Sequence, residues 1–227
     1  MKKIINRFLS VLLHFFIVSL FFVSHKSFAS KNEFLLAMAN HQINVVHDKK
    51  TTQRLNEWER LIFHSLGMDT DTKLKLVNDF FNKMKWAEDR DIWDAKDYWA
   101  TPLESLIKNS GDCEDFSIAK YFTLLAMDIP EEQLRVTYVT LENHQGHMVL
   151  FYYPKNAPKN DPNNNLEPLV LDNMRPEIEK KSDRPDIRYM FSFNDEGLWL
   201  KNNTSTEPDE KNIIKQWSKM IDRIKLE

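Results

Sequence analysis

The sequence predicts an α+β domain in which helices from the first half of the chain pack on an antiparallel sheet from the second half. Apolar residues recur at spacings of three and four between residues 52 and 127, which is typical of helices. From Leu134 onward the pattern changes to short apolar runs separated by turns, which is typical of strands. A final amphipathic stretch from Ile213 to Ile224 indicates one more helix.

Composition limits what the protein can be. Its 227 residues suit one medium domain, and a hydrophobic content of 42% is enough to form a core. The formal net charge of −3 argues against a nucleic-acid-binding protein, which needs a basic face. Cys113 is the only cysteine, so an intramolecular disulfide and a zinc site with two or more cysteines are both excluded.

Residues 1–29 are typical of a secretory signal peptide. A positively charged start precedes an apolar run over residues 8–23, and Ser27 and Ala29 place small residues before a cleavage point. An uncleaved membrane anchor is the alternative, because the apolar run is near the lower length limit for a span. Cleavage would leave 27 of the 31 basic residues against 34 acidic ones, a net charge of −7. We therefore expect an exported protein whose domain comprises residues 30–227.

Two helices are expected at the start of this domain. The first begins near Thr52 and ends at Gly67, and the second is capped by Asp69 or Asp71. Their expected apolar faces are Leu55, Trp58, Ile62, Phe63 and Leu66 in the first, and Leu74, Val77, Phe80, Phe81 and Met84 in the second.

Two further helices follow a loop over residues 86–101, which is rich in Trp and Asp. Thr101 and Pro102 begin a short helix, with Thr as the cap and Pro in the first turn. Residues 112–127 form the central helix, which is apolar around much of its circumference and should be buried.

The sheet is expected after Pro130, which ends the central helix. The predicted strands cover residues 134–141, 148–153, 169–171, 188–193 and 198–200. Residues 154–168 are rich in Pro, Asn and Lys and predict a loop outside the core, and residues 202–210 predict a polar linker.

Cys113 is the candidate nucleophile. It lies in the first turn of the central helix, where backbone N–H groups and the helix dipole stabilise a thiolate. Gly111 lets the chain turn tightly into this helix. A buried, unreactive cysteine is the alternative. Against it, the carboxylates of Asp112, Glu114 and Asp115 surround the cysteine, and charged residues are seldom buried without a partner.

A cysteine nucleophile needs a base and a group that orients the base. His147 begins a buried strand and can meet the N-terminus of a neighbouring helix, whereas His144 lies in a polar loop and is expected to be solvated. Asp172 ends the next strand, so it can lie near His147 if the two strands are neighbours. The alternative is that Asp172 and Asn173 only form a turn.

Four short motifs resemble those of a known family. They are Gly-Asp-Cys-Glu-Asp at 111–115, Gly-His-Met-Val-Leu at 146–150, Leu-Val-Leu-Asp-Asn at 169–173 and Asp-Tyr-Trp-Ala-Thr-Pro at 97–102. Over most of the expected domain, from about residue 50 to about residue 200, the chain resembles the bacterial transglutaminase-like cysteine proteinases of the LapG type. This resemblance implies a papain/transglutaminase-like fold.

The resemblance also implies the reaction, which is amide hydrolysis through a thioester. Cys113 would be the nucleophile, His147 the general base and acid, and Asp172 the carboxylate that orients the imidazole. The backbone N–H of Cys113 is a reasonable oxyanion donor. A second donor could be the indole N–H of Trp99 or of Trp86, and the sequence leaves this choice open.

A calcium site beside the nucleophile is a further implication of the resemblance. Its ligands would be Asp112 and Glu114, with Asp115 as an addition, and such carboxylates with carbonyls and water suit calcium. The residues alone leave an alternative open, in which Asp112 caps the helix and the other two interact favourably with its dipole.

Four more carboxylates lie upstream, at Asp89, Asp91, Asp94 and Asp97. Their spacing lacks the glycine and the closing glutamate of an EF-hand loop. We therefore expect them to form a solvated loop or the rim of a substrate cleft.

The partners implied by the resemblance are specific. Family members of this type act in the periplasm and release large repeat adhesins by cutting near the adhesin N-terminus at an Ala-Ala site. An inner-membrane receptor of the LapD type, which senses cyclic-di-GMP, sequesters them and so controls biofilm retention. We expect a monomer that does not bind nucleic acid. A transglutaminase or amidase with the same three residues, and a non-catalytic receptor-binding module, are the alternatives.

Overall fold

Among the described residues, every α-helix but the last precedes the six-stranded sheet along the chain, and the last follows it, as the sequence predicts. A computed structural model describes residues 48–155, 167–200 and 210–225. The helices are α1 (Lys49–Ser65), α2 (Thr70–Phe81), α3 (Asp89–Trp93), α4 (Pro102–Lys108), α5 (Cys113–Ala126) and α6 (Glu210–Ile224). The strands are β1 (Lys85–Trp86), β2 (Ser110–Gly111), β3 (Leu134–Leu141), β4 (Gly146–Tyr152), β5 (Leu169–Leu171), β6 (Glu179–Lys180), β7 (Ile187–Asn194) and β8 (Gly197–Leu200). The expected signal peptide and most of the expected linker lie outside the described residues.

Local sequence accounts for where the first helices begin. Asp48 before α1 and Asp69 before α2 each accept a hydrogen bond from the backbone N–H three residues further on. At α4, the Thr101 and Glu104 side chains each accept the other residue's backbone N–H, which forms a capping box. Gly67, with a φ of +86°, follows the end of α1. No helix in the described ranges is long and apolar enough to cross a membrane.

The buried face of α1 is narrower than expected. Phe63 and Leu66 are 64% and 45% exposed, so their assignment to the core is wrong. Trp58 lies at the centre of the buried face and donates its indole N–H to Thr123 Oγ1 of α5 at 2.8 Å. Phe63 follows the buried Ile62 directly, and one residue turns a helix by about 100°, so Phe63 points away from the core.

The segment 86–101, expected to be a loop, contains regular structure. Strand β1 pairs in parallel with β2, with Trp86 opposite Gly111, and the backbone N–H of Ala87 donates to Gly111 O at 3.0 Å. The short helix α3 follows. Because the strand pairing depends on contact with a distant segment, the local pattern does not reveal it. The pairing brings Asp89 close to the start of α5.

The six-stranded sheet has the order β6-β5-β4-β3-β7-β8, and all its neighbours are antiparallel. Helix α5 is buried between this sheet and the other helices, as expected for the central helix. Strands β4 and β5 are neighbours, with Leu150 opposite Leu171. This pairing places Asp172, the residue after β5, beside the first half of β4.

Asn78 of α2 and Asn82, which follows the last residue of α2, hold the segment that follows β5. Asn82 donates to the carbonyl oxygens of Asp172 and Arg175, at 2.9 and 3.1 Å. Asn78 donates to Pro176 O at 3.1 Å and accepts from the ammonium of Lys120 on α5 at 2.7 Å. Burial lowers the pKa of Lys120 to about 7, against the opposing charge of Asp172. Helix α5 and the segment that follows β5 are therefore connected through α2.

Replacement of Lys120 should remove a pH dependence of stability. Between pH 7 and 10 the unfolded chain carries a proton on Lys120 that the folded chain lacks, so this residue makes stability rise with pH. Each pKa unit corresponds to about 1.4 kcal/mol. Relative to Lys120→Met, the wild type should gain on the order of 2 kcal/mol in free energy of unfolding between pH 7 and 9.

Denaturant unfolding at several pH values measures this difference. Lys75→Met, which removes an exposed lysine of α2, is the matched control. A difference between wild type and Lys120→Met that stays constant with pH would contradict the account.

Candidate active site

Cys113 is the first residue of α5, with a half-buried side chain. Its thiol donates to Glu114 Oε2 at 3.1 Å, and the backbone N–H of Met148 on β4 contacts the sulfur. Burial raises the pKa of this thiol well above its usual value, and the charges of Glu114 and Asp112 raise it further, whereas Met148 N–H lowers it. These groups therefore favour the protonated thiol over the thiolate.

His147 and Asp172 form a buried hydrogen-bonded pair. The distance between His147 Nε2 and Asp172 Oδ1 is 2.8 Å. An ionised carboxylate only accepts hydrogen bonds, so Nε2 is the donor, and in the neutral tautomer with this hydrogen bond Nδ1 has the free lone pair. Burial alone would raise the pKa of Asp172, but hydrogen bonds from His147, Met174 N–H and Arg184 hold it well below its usual value.

Strand β4 connects the three residues predicted for catalysis. Met148, whose N–H contacts the sulfur of Cys113, is the next residue after His147 on β4. The neighbouring strand β5 ends at Leu171, directly before Asp172. His144, by contrast, lies exposed in the turn before β4, with a φ of 66°. Cys113 thus contacts the strand that carries His147, and His147 is hydrogen-bonded to Asp172, which fits a cysteine nucleophile with an oriented base.

Arg184 is a buried neighbour of Asp172 that the sequence analysis missed. Its Nη2 donates to Asp172 Oδ2 at 2.9 Å and to Asp186 Oδ2 at 2.8 Å, and its Nε donates to Asp186 Oδ1 at 2.9 Å. Arg184 lies in the turn before β7, where an arginine between two aspartates is typical of a solvated surface. No local pattern distinguishes it from a surface residue.

A cluster of three carboxylates lies beside the nucleophile. One oxygen each of Asp89, Asp112 and Glu114 lies within 4.8 Å of the others. Asp115, expected as an additional ligand, is not in this cluster. Its Oδ1 accepts the backbone N–H of Ala100 at 2.7 Å, deep in the core.

The place of Asp89 corrects an expectation. Asp91, Asp94 and Asp97 are exposed, as expected for a solvated loop. Asp89 is buried at the start of α3, where its Oδ2 accepts the backbone N–H of Tyr98 at 2.6 Å. The difference arises because β1 pairs with β2 and carries Asp89 to the start of α5.

The oxygens of this cluster suit a cation. Asp89 Oδ1 and Asp112 Oδ1 are buried and accept no hydrogen bond from any residue that the structure describes. Asp112 precedes α5 in the capping position, yet its side chain makes no capping hydrogen bond. Burial raises the pKa of Asp112 to about 10, and the charge of Glu114 adds to this shift. Burial likewise raises the pKa of Asp89 to about 6, again with a contribution from Glu114. Hard cations such as calcium bind several carboxylate oxygens at such a place.

Aromatic side chains near the site differ in exposure. Trp99 is buried and stacks on Phe193, with ring centroids 5.5 Å apart, whereas Trp86 is 54% exposed. Tyr138, which the sequence analysis did not single out, places its phenol on Gly146, where a Cβ would overlap it. Burial raises the pKa of Tyr138, and its electrostatic interactions with Cys113 and Glu114 contribute, so the phenol lies near these two residues.

Comparison with known proteins agrees with this geometry. The family model described as bacterial transglutaminase-like cysteine proteinase matches residues 62–206. EGTA-treated LapG from Legionella pneumophila is 36% identical over 83% of this chain and 97% of that one, with a TM-score of 0.70. Calcium-bound LapG from the same organism is 34% identical over 83% of this chain and 98% of that one, with a TM-score of 0.68. No curated protein sequence matches the chain.

The chain belongs to the bacterial transglutaminase-like cysteine proteinase family. It is therefore a cysteine protease, and the expected mixed fold of helices and antiparallel sheet is confirmed.

Gly111 in this proteinase should tolerate no side chain. A Cβ at this position would lie 2.6 Å from Asp115 Cβ and 2.8 Å from Asp115 Oδ2, both deeply buried. Gly111→Ala should lower the free energy of unfolding by about 1–3 kcal/mol through overpacking and displace the start of α5. Gly197→Ala is the control, because its Cβ would meet only Trp199 at an ordinary 3.9 Å. Equal stability of the two variants in denaturant unfolding would refute this reading of Gly111.

Proposed function

We propose that this cysteine protease is a calcium-dependent endoprotease of the periplasm. It cleaves the N-terminal region of a large surface adhesin at an Ala-Ala site, which releases the adhesin and controls biofilm retention. The observation that carries the proposal is the cluster of Asp89, Asp112 and Glu114, because it adjoins the nucleophile Cys113 on both sides in sequence. The similarity to LapG of Legionella pneumophila, solved in calcium-bound and EGTA-treated forms, supports it.

The proposed reaction follows from the arrangement of the three residues. Cys113 Sγ attacks the acyl carbon of the scissile peptide bond, and the thiol proton passes to His147 Nδ1. His147 then gives this proton to the leaving amine, which leaves a thioester on Cys113. Water hydrolyses the thioester, with His147 again acting as the base. The backbone N–H of Cys113, at the start of α5, would stabilise the oxyanion.

Glu114 links the proposed metal site to the nucleophile. Its Oε2 accepts the hydrogen bond of the Cys113 thiol, and the same side chain belongs to the carboxylate cluster. Bound calcium would supply positive charge beside the sulfur and offset the three carboxylates. Glu114 would then be engaged in the cluster, and the thiol would be available to His147.

The expected export and partners belong to the same proposal. An N-terminal stretch with the layout of a signal peptide supports export. The proposed regulator is an inner-membrane receptor of the LapD type that sequesters the protease according to cyclic-di-GMP. The proposed active form is a monomer.

Cleavage of an adhesin N-terminal fragment that contains an Ala-Ala site tests this function. Residues 30–227 should cut the fragment once when calcium is present and stop when EGTA is added. Cys113→Ala should be folded and inactive under both conditions, because it lacks the nucleophile.

The other outcomes separate the alternatives. Cutting that persists after complete removal of calcium would keep the protease and exclude calcium dependence. Incorporation of an amine into the fragment in place of cutting would favour the transglutaminase alternative. Folded wild-type protein that neither cuts nor transfers under any condition would favour a receptor-binding module.

Asp89 should contribute to calcium binding although it lies far from Cys113 in sequence. Asp89→Asn removes one charge from the cluster and should weaken calcium binding at least several-fold, as measured by calorimetry. Asp91→Asn, two residues further on and exposed, should bind like the wild type. Equal affinities of the two variants would exclude Asp89 from the site.

A further inference from the structure

We propose that Arg184 is a positioning residue for the reaction, which holds the Asp172 carboxylate in the orientation that aims it at His147. The inference rests on the proposed roles of His147 and Asp172. It does not depend on the identity of the substrate or on calcium.

The carboxylate of Asp172 is held by three donors. Oδ1 receives His147 Nε2–H at 2.8 Å and Met174 N–H at 2.9 Å, and Oδ2 receives Arg184 Nη2–H at 2.9 Å. Within the described part of the chain, Arg184 is the only group that donates to Oδ2. Without it, the carboxylate keeps one occupied oxygen and is able to turn about its own bond to the chain.

Burial of Arg184 is difficult to explain by stability alone. Its side chain is 2% exposed, Asp172 is fully buried, and Arg184 Nη1 is buried without a partner among the residues described. An ion pair of this kind contributes little net stability, because the loss of hydration offsets much of the attraction. Asp186 and Glu179, the other acidic partners of Arg184, are 28% and 33% exposed and could pair with an arginine at the surface. The contact that requires burial is the one with Asp172.

The shape of the guanidinium explains why the residue is an arginine. Its Nε and Nη2 grip both oxygens of Asp186 as a fork, which fixes the plane of the group, and Nη2 has a second N–H for Asp172. A lysine ammonium can supply the charge but cannot hold this plane. Arg184 thus fixes the orientation of the Asp172 carboxylate relative to the turn before β7.

The remaining anchors of this segment act on the backbone and not on the carboxylate. Asn82 holds the carbonyl oxygen of Asp172, and Asn78, supported by Lys120, holds that of Pro176. They place the chain beside β4, whereas Arg184 sets the direction of the side chain. Loss of Arg184 should therefore lower the free energy of unfolding, because the buried Asp172 charge loses a partner, while the backbone anchors keep the chain in place and the orientation of His147 is disturbed.

Kinetics and NMR of three variants test the proposal in the full mature chain with saturating calcium. Arg184→Met removes the donors and should lower kcat for cleavage of the adhesin fragment by about 10- to 100-fold, while KM stays within two-fold of wild type. This is the expected effect of losing a group that orients a catalytic side chain without touching the substrate. Arg184→Lys should fall between Arg184→Met and the wild type. Arg175→Met, which removes a half-exposed arginine of the same segment, should match the wild type.

The NMR measurement needs no substrate and therefore separates this proposal from the proposed function. In protein with 15N-labelled histidine, the proton on His147 Nε2 should give a slowly exchanging, deshielded signal, assigned by its absence in His147→Ala. Arg184→Met should lose this signal although thermal unfolding shows a folded protein. If Arg184→Met does not fold, Arg184→Gln replaces it with the same expectation.

Three results would overturn the proposal. The first is a variant without the guanidinium that keeps the wild-type His147 signal. The second is a kcat within two-fold of wild type in both Arg184→Met and Arg184→Lys. The third is a kcat of Arg184→Lys equal to that of the wild type while Arg184→Met is slow, because the charge alone would then suffice.

Discussion

Repulsion among carboxylates at the start of one buried helix is the constraint on which the active site depends. At a separation of 4.8 Å, the upper limit within the cluster of Asp89, Asp112 and Glu114, two such charges repel by about 3 kcal/mol at an effective dielectric constant of 20. The dipole of α5 offsets only about 0.3–1 kcal/mol per charge. The dipole alone therefore cannot keep all three carboxylates ionised beside a thiolate, and a bound cation is the simplest remedy.

The fold brings distant segments of the chain close to Cys113 from two sides. On one side, the pairing of β1 with β2 delivers Asp89 to the carboxylates that flank Cys113. On the other side, the pairing of β4 with β5 delivers Asp172 to His147. Helix α5 lies between them and carries the sulfur at its first residue. The proposed acid–base pair and the carboxylate cluster thus reach the surroundings of Cys113 from separate parts of the chain.

The sequence predicted those parts of the site that leave a local pattern. Cys113 begins a strongly apolar helix and His147 begins an apolar strand, so their placement followed from periodicity. Asp89 was placed at the surface because a five-residue helix formed through tertiary contacts has no period to detect. Arg184 left no local signal, because its burial results from strand pairing that puts Asp172 within its reach. Asp115 has the right neighbours in sequence, but its side chain is directed into the core.

The rate at which iodoacetamide alkylates Cys113, followed through a calcium titration at constant pH, shows whether the ion acts on the thiol. Cys113 is the only cysteine, so the modified site is unambiguous. We expect the rate to rise with calcium and to reach a plateau at the concentration at which calcium binding saturates. A rate that stays unchanged while calcium binds would contradict this expectation, because the cluster would then hold the ion without acting on the thiol.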